Sequence, residues 1–232
     1  MQPKEDCLLC HAPLVYLPKQ EEMACTLCGG LFPSNARCEQ GHYVCDACHR
    51  KQGLAAIRRI CLASASPNPL AIAREIMEDP FIYMHGPEHH VLVGACLLAA
   101  CRNAGHELDL AEALSEMERR GNQVPGGICG LWGSCGAAVS AGIYWSILTD
   151  ASPLSTESWG QANLLTSRCL ARIAALGGPR CCKRNSFIAL AEAVDMTREM
   201  LGIPLEKDAQ TRCAHRSRNA QCLGERCPYC IA

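Results

Sequence analysis

The stretch Pro87-Glu-His-His-Val-Leu-Val-Gly-Ala-Cys-Leu-Leu-Ala-Ala-Cys-Arg-Asn-Ala-Gly105 decides the fold. It opens with proline and an acidic residue and stops at glycine, which is the punctuation of an α-helix. Its apolar run, Val91 to Cys101, is about half of what a bilayer span needs, so it reads as a buried helix and not as an anchor. The same grammar repeats downstream. Asp109 caps a helix that runs to Arg120 and stops at Gly121. Ser134 or Cys135 starts an apolar helix to about Leu148, Ser155 or Thr156 starts another to about Leu176, and Gly177-Gly-Pro179 separates that from a last helix ending near Leu201. These five helices with short links predict a mainly α protein with a helical-bundle core, and residues 81–203 show no alternating strand pattern. Gly136, Ala137, Ser140 and Ala141 line one face of the third core helix, which would let a neighbouring helix or a cofactor approach closely. Upstream, Leu54 to Ala63 and Pro69 to Glu78 read as two connecting helices, with Asn68 as N-cap and Pro69 in the first turn.

Nineteen cysteines in 232 residues set the chemistry. No charged segment followed by an apolar run opens the chain, so the expected compartment is a reducing cytoplasm. There, dense cysteines bind metal or act as redox thiols instead of forming a disulfide scaffold. A formal net charge of −1 argues against a general nucleic-acid or acidic-membrane binder. There is neither a Walker loop nor a G-x-G-x-x-G after a strand.

The first cysteine group is Cys7, Cys10, Cys25, Cys28, Cys38, His42, Cys45 and Cys48. Pairs at C-x2-C and C-x3-H spacing turn two donors toward one ion from a tight loop, so this group supplies eight ligands for two tetrahedral zinc ions. The segment has little else to fold with, and bound zinc would supply the folding energy. From Cys25 onward the ligand order resembles RING-type and treble-clef zinc domains, carried by Cys38-Glu-Gln-Gly-His42-Tyr-Val-Cys45-Asp-Ala-Cys48. Two arrangements fit the spacing. A cross-brace groups Cys25, Cys28, Cys45 and Cys48 around one ion and Cys7, Cys10, Cys38 and His42 around the other; a tandem arrangement puts the first four cysteines on one ion. His11 and His49 are expected as surface neighbours, with His49 able to replace His42. The expected division is a zinc module at 1–52, a helical connector at 53–80, an all-α core at 81–205 and a cysteine-rich tail at 206–232.

The second group sits among glycines, in Gly126-Gly-Ile-Cys129-Gly-Leu-Trp-Gly-Ser-Cys135-Gly136 and in Gly177-Gly-Pro-Arg-Cys181-Cys182-Lys-Arg184. Cys135 and the Cys181-Cys182 pair fall at helix starts, where exposed amides favour a thiolate, and the cations at 180, 183 and 184 are expected to lower the thiol pKa further. The two helix N-termini are expected to converge on one site. Cys61, Cys96, Cys101 and Cys169 lie in apolar helical patterns and read as core.

Cys129, Cys135-Gly-Ala-Ala, Gly142 and Cys181-Cys182 resemble the redox-active proteins named for a C-GCAxxG-C-C pattern, although Cys135-Gly-Ala-Ala replaces the Gly-Cys-Ala order. From about Tyr83 to the end, the chain resembles an uncharacterised cysteine-rich domain family of anaerobic bacteria and archaea. The strings that carry this are His85-Gly-Pro-Glu-His-His90, Gly126 to Cys135, Gly178-Pro-Arg-Cys-Cys-Lys-Arg184 and Cys227-Pro-Tyr. The resemblances imply redox or metal chemistry in an anaerobe, with some relatives joined to methyltransferase-like domains.

His85, Glu88, His89 and His90 stand at another helix start, where His85 and His89 can reach a common metal or serve as acid and base and Glu88 moves protons or compensates the helix dipole; the histidines are expected to face Cys129, Cys135, Cys181 and Cys182. The third group, Cys213, Cys222, Cys227 and Cys230, supplies four thiolates for zinc or a [4Fe–4S] cluster, unless the tail folds back to complete the core site. The expected function is metal-binding redox chemistry, either iron–sulfur or thiol–disulfide, passing electrons or a sulfur group to a partner enzyme. A zinc-structured adaptor for protein or RNA, and a thiol- or metal-dependent enzyme with a pocket at the glycine-rich loop, are the alternatives.

Overall fold

The computed structural model describes residues 7–10 and 12–230, so His11 lies outside the described residues. The described residues are mainly helical, with one two-stranded sheet among them. Strands β1 (Leu14–Ala24) and β2 (Leu31–Cys38) pair antiparallel from Leu14↔Cys38 to Ala24↔Leu31, with an irregularity between Tyr16 and Glu21. This hairpin was not foreseen. Its strands carry Pro18 and Pro33 and lie mostly exposed, so they have no buried face to impose an alternating pattern.

Helix α1 (Asp46–Ala63) starts at Cys45 and carries both Cys48 and the buried Leu54, Ile57, Ile60 and Cys61. The expected boundary at 52 therefore falls inside one continuous helix. At Gly53 a Cβ would come within 2.8 Å of the Phe81 carbonyl oxygen, so the segment entering the next helical layer presses directly on α1. Helix α2 (Pro69–Met77) is capped by Asn68, whose side chain accepts from the amides of Leu70 and Ala71. Residues 53–80 are thus part of the main core.

Helix α3 (His89–Asn103) is buried throughout from His89 to Cys101 and packs against α1, α2, α4 (Leu110–Gly121), α6 (Gly136–Leu148) and α8 (Cys182–Leu201). A helix apolar on every side belongs at the centre of a bundle. Gly94 permits a close crossing: its amide donates to Ser140 Oγ of α6 at 3.0 Å, and a Cβ there would collide with Met117 of α4. Tyr144 of α6 ties three helices, its hydroxyl lying 2.9 Å from Thr197 Oγ1 and 3.2 Å from Cys101 Sγ. Cys61, Cys96, Cys101 and Cys169 are fully buried. A one-turn helix α5 (Ile128–Leu131) precedes α6, and α7 (Glu157–Leu176) closes one side of the bundle against α6 and α8.

After α8 the chain folds back over the bundle. The Glu206 amide donates to the Pro67 carbonyl, Asp208 accepts from Asn68 and pairs with Arg74, and the Phe187 and Tyr229 rings meet at 5.3 Å. No helix among the described residues is long and apolar enough to cross a membrane.

Candidate metal and thiol sites

The hairpin builds two ligand sets. Cys7 and Cys10 precede β1, while Cys38 ends β2 and His42 follows it, so strand pairing brings them together at its base. The turn between the strands carries Cys25 and Cys28 to Cys45 and Cys48 at the start of α1. The sets are Cys7, Cys10, Cys38 and His42, and Cys25, Cys28, Cys45 and Cys48; within each, all ligand atoms lie within 4.8 Å of one another. This is the cross-brace, and the tandem alternative is not formed. Cys10 Sγ stands 3.8 Å from Cys38 Sγ and Cys28 Sγ 3.9 Å from Cys45 Sγ. A tetrahedron with metal–sulfur bonds of about 2.3 Å has an edge of about 3.8 Å, so both sets are sized for one ion each.

Backbone amides aim at these sulfurs: Leu9 at Cys7, His42 at Cys38 and Cys45 at Cys25. Burial pushes Cys7 and Cys25 up, but donation from backbone amides and from neighbouring thiols outweighs it and brings them down to about 7 and about 6, while Cys10, Cys45 and Cys48 of the same sets are raised. His42 Nδ1 lies 3.3 Å from Cys10 Sγ. His49 does not replace it; its ring stacks edge-on to Tyr83 and its Nδ1 is 3.8 Å from Glu88 Oε2.

A second arrangement forms around the glycine-rich loop. Gly127 and Gly133, with φ of 80° and 69°, bracket α5 and turn the loop outward. Facing it are the C-terminal half of α7 and the link into α8. Between them lies an apolar cleft of about 800 Å³ whose lining includes Cys129, Cys135, Ile173, Arg180, Arg184 and Asn185. Cys135 is the N-cap of α6, and Asn185 Nδ2 donates to its sulfur at 3.3 Å. On the same loop, Leu131 and Trp132 are 82% and 67% exposed.

Cys181 and Cys182 do not share this cleft. Cys182 begins α8 and is turned inward, where the Gly86 amide donates to it; burial, reinforced by the charges of Cys135 and Glu88, pushes its thiol up to about 12. The expected lowering by neighbouring cations fails at both positions. Burial also raises Cys181, against donation from the Arg184 amide and the Arg184 charge, and the thiolates of Cys227 and Cys222 push it in the same direction as burial. The cations are engaged elsewhere: Lys183 Nζ donates to the carbonyls of Met77 and Ile82, and Arg184 Nη2 to those of Gly177 and Pro179.

A profile for a family of unknown function, DUF5714, matches residues 57–230. The chain belongs to this family. The DUF5714 match takes in the cleft, the start of α8 and the tail, and leaves the eight N-terminal ligands outside. Comparison with curated proteins and with solved structures gave no match.

Within the DUF5714 segment, Glu88 is fully buried; its Oε1 accepts from the Tyr83 amide at 3.0 Å and lies 3.5 Å from His89 Nδ1. Burial works to raise its pKa, but His89 and then His49 hold it below the ordinary carboxylate value. Glu88 and Gly86 act on Cys182, and the His90 ring packs against Gly136, the residue after Cys135. Helical phase puts His90 there, since His89 points to Glu88 and Gly86. Sequence reasoning placed His90 at this helix start among the groups expected to face the core thiols, but missed Asn185 as the neighbour of Cys135.

The tail reaches the opposite side of the α8 start. Cys181, Cys213, Cys222 and Cys227 line one small, partly open void with Arg184, His215, Arg216 and Asn219. Cys230 stands outside that lining, its sulfur accepting from Arg216 Nη1 at 3.7 Å.

Proposed function

We propose that this chain is a redox protein whose N-terminal sets hold two structural zinc ions and whose Cys129 and Cys135 exchange thiol for disulfide in the glycine-loop cleft. The observation that carries the reading is the cleft itself. Two partly exposed thiols share an apolar recess within the size range of small-molecule sites, and the Asn185 amide is already directed at one of them. The Cys135 thiolate attacks a disulfide sulfur of the partner, forming a mixed disulfide and releasing the first partner thiolate. Cys129 then displaces the second, leaving a Cys129–Cys135 disulfide and a partner reduced by two electrons. Leu131 and Trp132 at the loop surface offer an apolar contact for that partner, a redox or methyltransferase-like enzyme of a reducing cytoplasm. The cleft's volume also favours a second reading, in which a small sulfur compound is the substrate of the same two thiols.

The test is thiol trapping with peptide mass spectrometry on protein prepared without oxygen and then exposed to a small disulfide oxidant. The expected product is a Cys129–Cys135 cross-link that Cys135→Ser abolishes with helix content unchanged. Equal alkylation of both thiols before and after oxidation would refute the proposal.

A further inference from the structure

We infer that Cys181, Cys213, Cys222 and Cys227 bind an iron–sulfur cluster between the start of α8 and the folded-back tail. The four thiols come from two remote segments and line one void, which a backbone β-bridge between residues 213 and 230, the Cys213 amide to Tyr229 carbonyl bond and the Phe187–Tyr229 contact frame.

The local design matches the N-terminal metal sets. In those, the amide two residues after Cys7 donates to its sulfur at 3.4 Å; in the tail, the His215 amide donates to Cys213 Sγ and the Gly224 amide to Cys222 Sγ, each also at 3.4 Å. Cys181 receives two donors, the Arg184 amide and Asn219 Nδ2, both at 3.5 Å. Amides aimed at sulfur stabilise ligated thiolates and tune a cluster's potential. The buried Arg184 and the neighbouring Arg216 supply the positive charge that a four-thiolate site calls for.

The spacing separates a cluster from a single ion. Four sulfurs about 2.3 Å from one zinc leave no gap that admits a water-sized sphere. Here the void is about 20 Å³, and these thiols are not drawn into a set within 4.8 Å as the N-terminal eight are. In a cubane the cysteine sulfurs stand about 4 Å from the centre, which opens the set in this way. The site corrects the expected tail set: Cys181 takes the place of Cys230. Arg184 borders both this void and the glycine-loop cleft, and its Nε donates to Asn185 Oδ1 at 3.1 Å, so the cluster site adjoins Cys135 through two side chains. The inference concerns different thiols from the proposed exchange and fails independently of it.

The full chain, purified without oxygen after supply of iron and sulfide, should contain about four irons and four acid-labile sulfides, with a broad visible absorption that dithionite bleaches. Cys181→Ser and Cys222→Ser should each reduce iron and sulfide to background while zinc stays unchanged. Cys230→Ser and Cys182→Ser should retain the cluster. Should the buried Cys181 variant not fold, Cys222→Ser and Cys227→Ser at half-buried positions decide the matter. Zinc without iron or sulfide in the wild type would overturn the inference. So would cluster loss in Cys230→Ser with retention in Cys222→Ser.

Discussion

Substituting Cys10 and Cys38 together with serine distinguishes the two ways of dividing eight ligands between two ions. Their sulfurs are 3.8 Å apart and belong to one set, so the double variant removes two ligands from a single ion and none from the other. A tandem division would place Cys10 on one ion and Cys38 on the other, and both sites would be damaged. The expected metal content therefore falls from two ions to one per chain, whereas the tandem division predicts none. A structural zinc site supplies about 10–16 kcal/mol, as much as the whole stability of a typical domain, so the affected end of the hairpin, around Leu14↔Cys38, should open completely. The end at Cys25 and Cys45 should stay closed, because its four ligands are untouched. Metal analysis of dialysed protein gives the count, and amide exchange of residues 12–38 gives the location. Helical circular dichroism should be nearly unchanged, since the bundle core is built from α1 onward. Retention of two ions, or loss of both, would refute the cross-brace.

Three further outcomes follow from the packing. Gly136→Ala forces a methyl group into the His90 ring, whose Nδ1 lies 3.0 Å from the Val124 carbonyl oxygen; overpacking should cost about 2 kcal/mol and lower Tm by about 4–8 °C, whereas Gly130→Ala, with nothing near its added carbon, should not. Asn68→Ala removes the α2 cap and the 2.8 Å bond to Asp208, and should cost about 1–2 kcal/mol in urea unfolding with faster amide exchange at 206–211. Burial lowers the pKa of His49, His90 and His215, the last to about 4, so in this range the unfolded chain binds the protons. Stability should be full above about pH 6.5 and fall as the pH drops toward 4, with a shallower fall in His90→Gln; a flat or rising urea midpoint would contradict this.

The helices were legible because each is punctuated locally. Asn68 and Asp109 cap where a side-chain oxygen precedes an apolar period, and glycine stops α3 and α8. The hairpin was not legible, since its order comes from ligands at its two ends and not from a buried face. The N-terminal ligand sets were legible as a list of eight but not as a partition, because local spacing fixes pairs and only strand pairing decides which pairs meet.

The start of α8 shows the same limit at the scale of one peptide. Cys181 and Cys182 are adjacent and chemically identical, and sequence reasoning assigned both to one site. Cys181 is an extended N-cap at φ −148° and ψ 103°, while Cys182 is the first helical residue, so the backbone changes conformation between them. One thiol meets the tail and the other meets Gly86 beneath the bundle. Which direction carries a site depends on the path of residues 206–230, set by contacts to Pro67, Asn68 and Phe187 far away in the chain. A single extended-to-helical step can therefore serve two chemical environments at once. Of two substitutions one residue apart, Cys181→Ser should consequently lose the bound iron and Cys182→Ser should keep it.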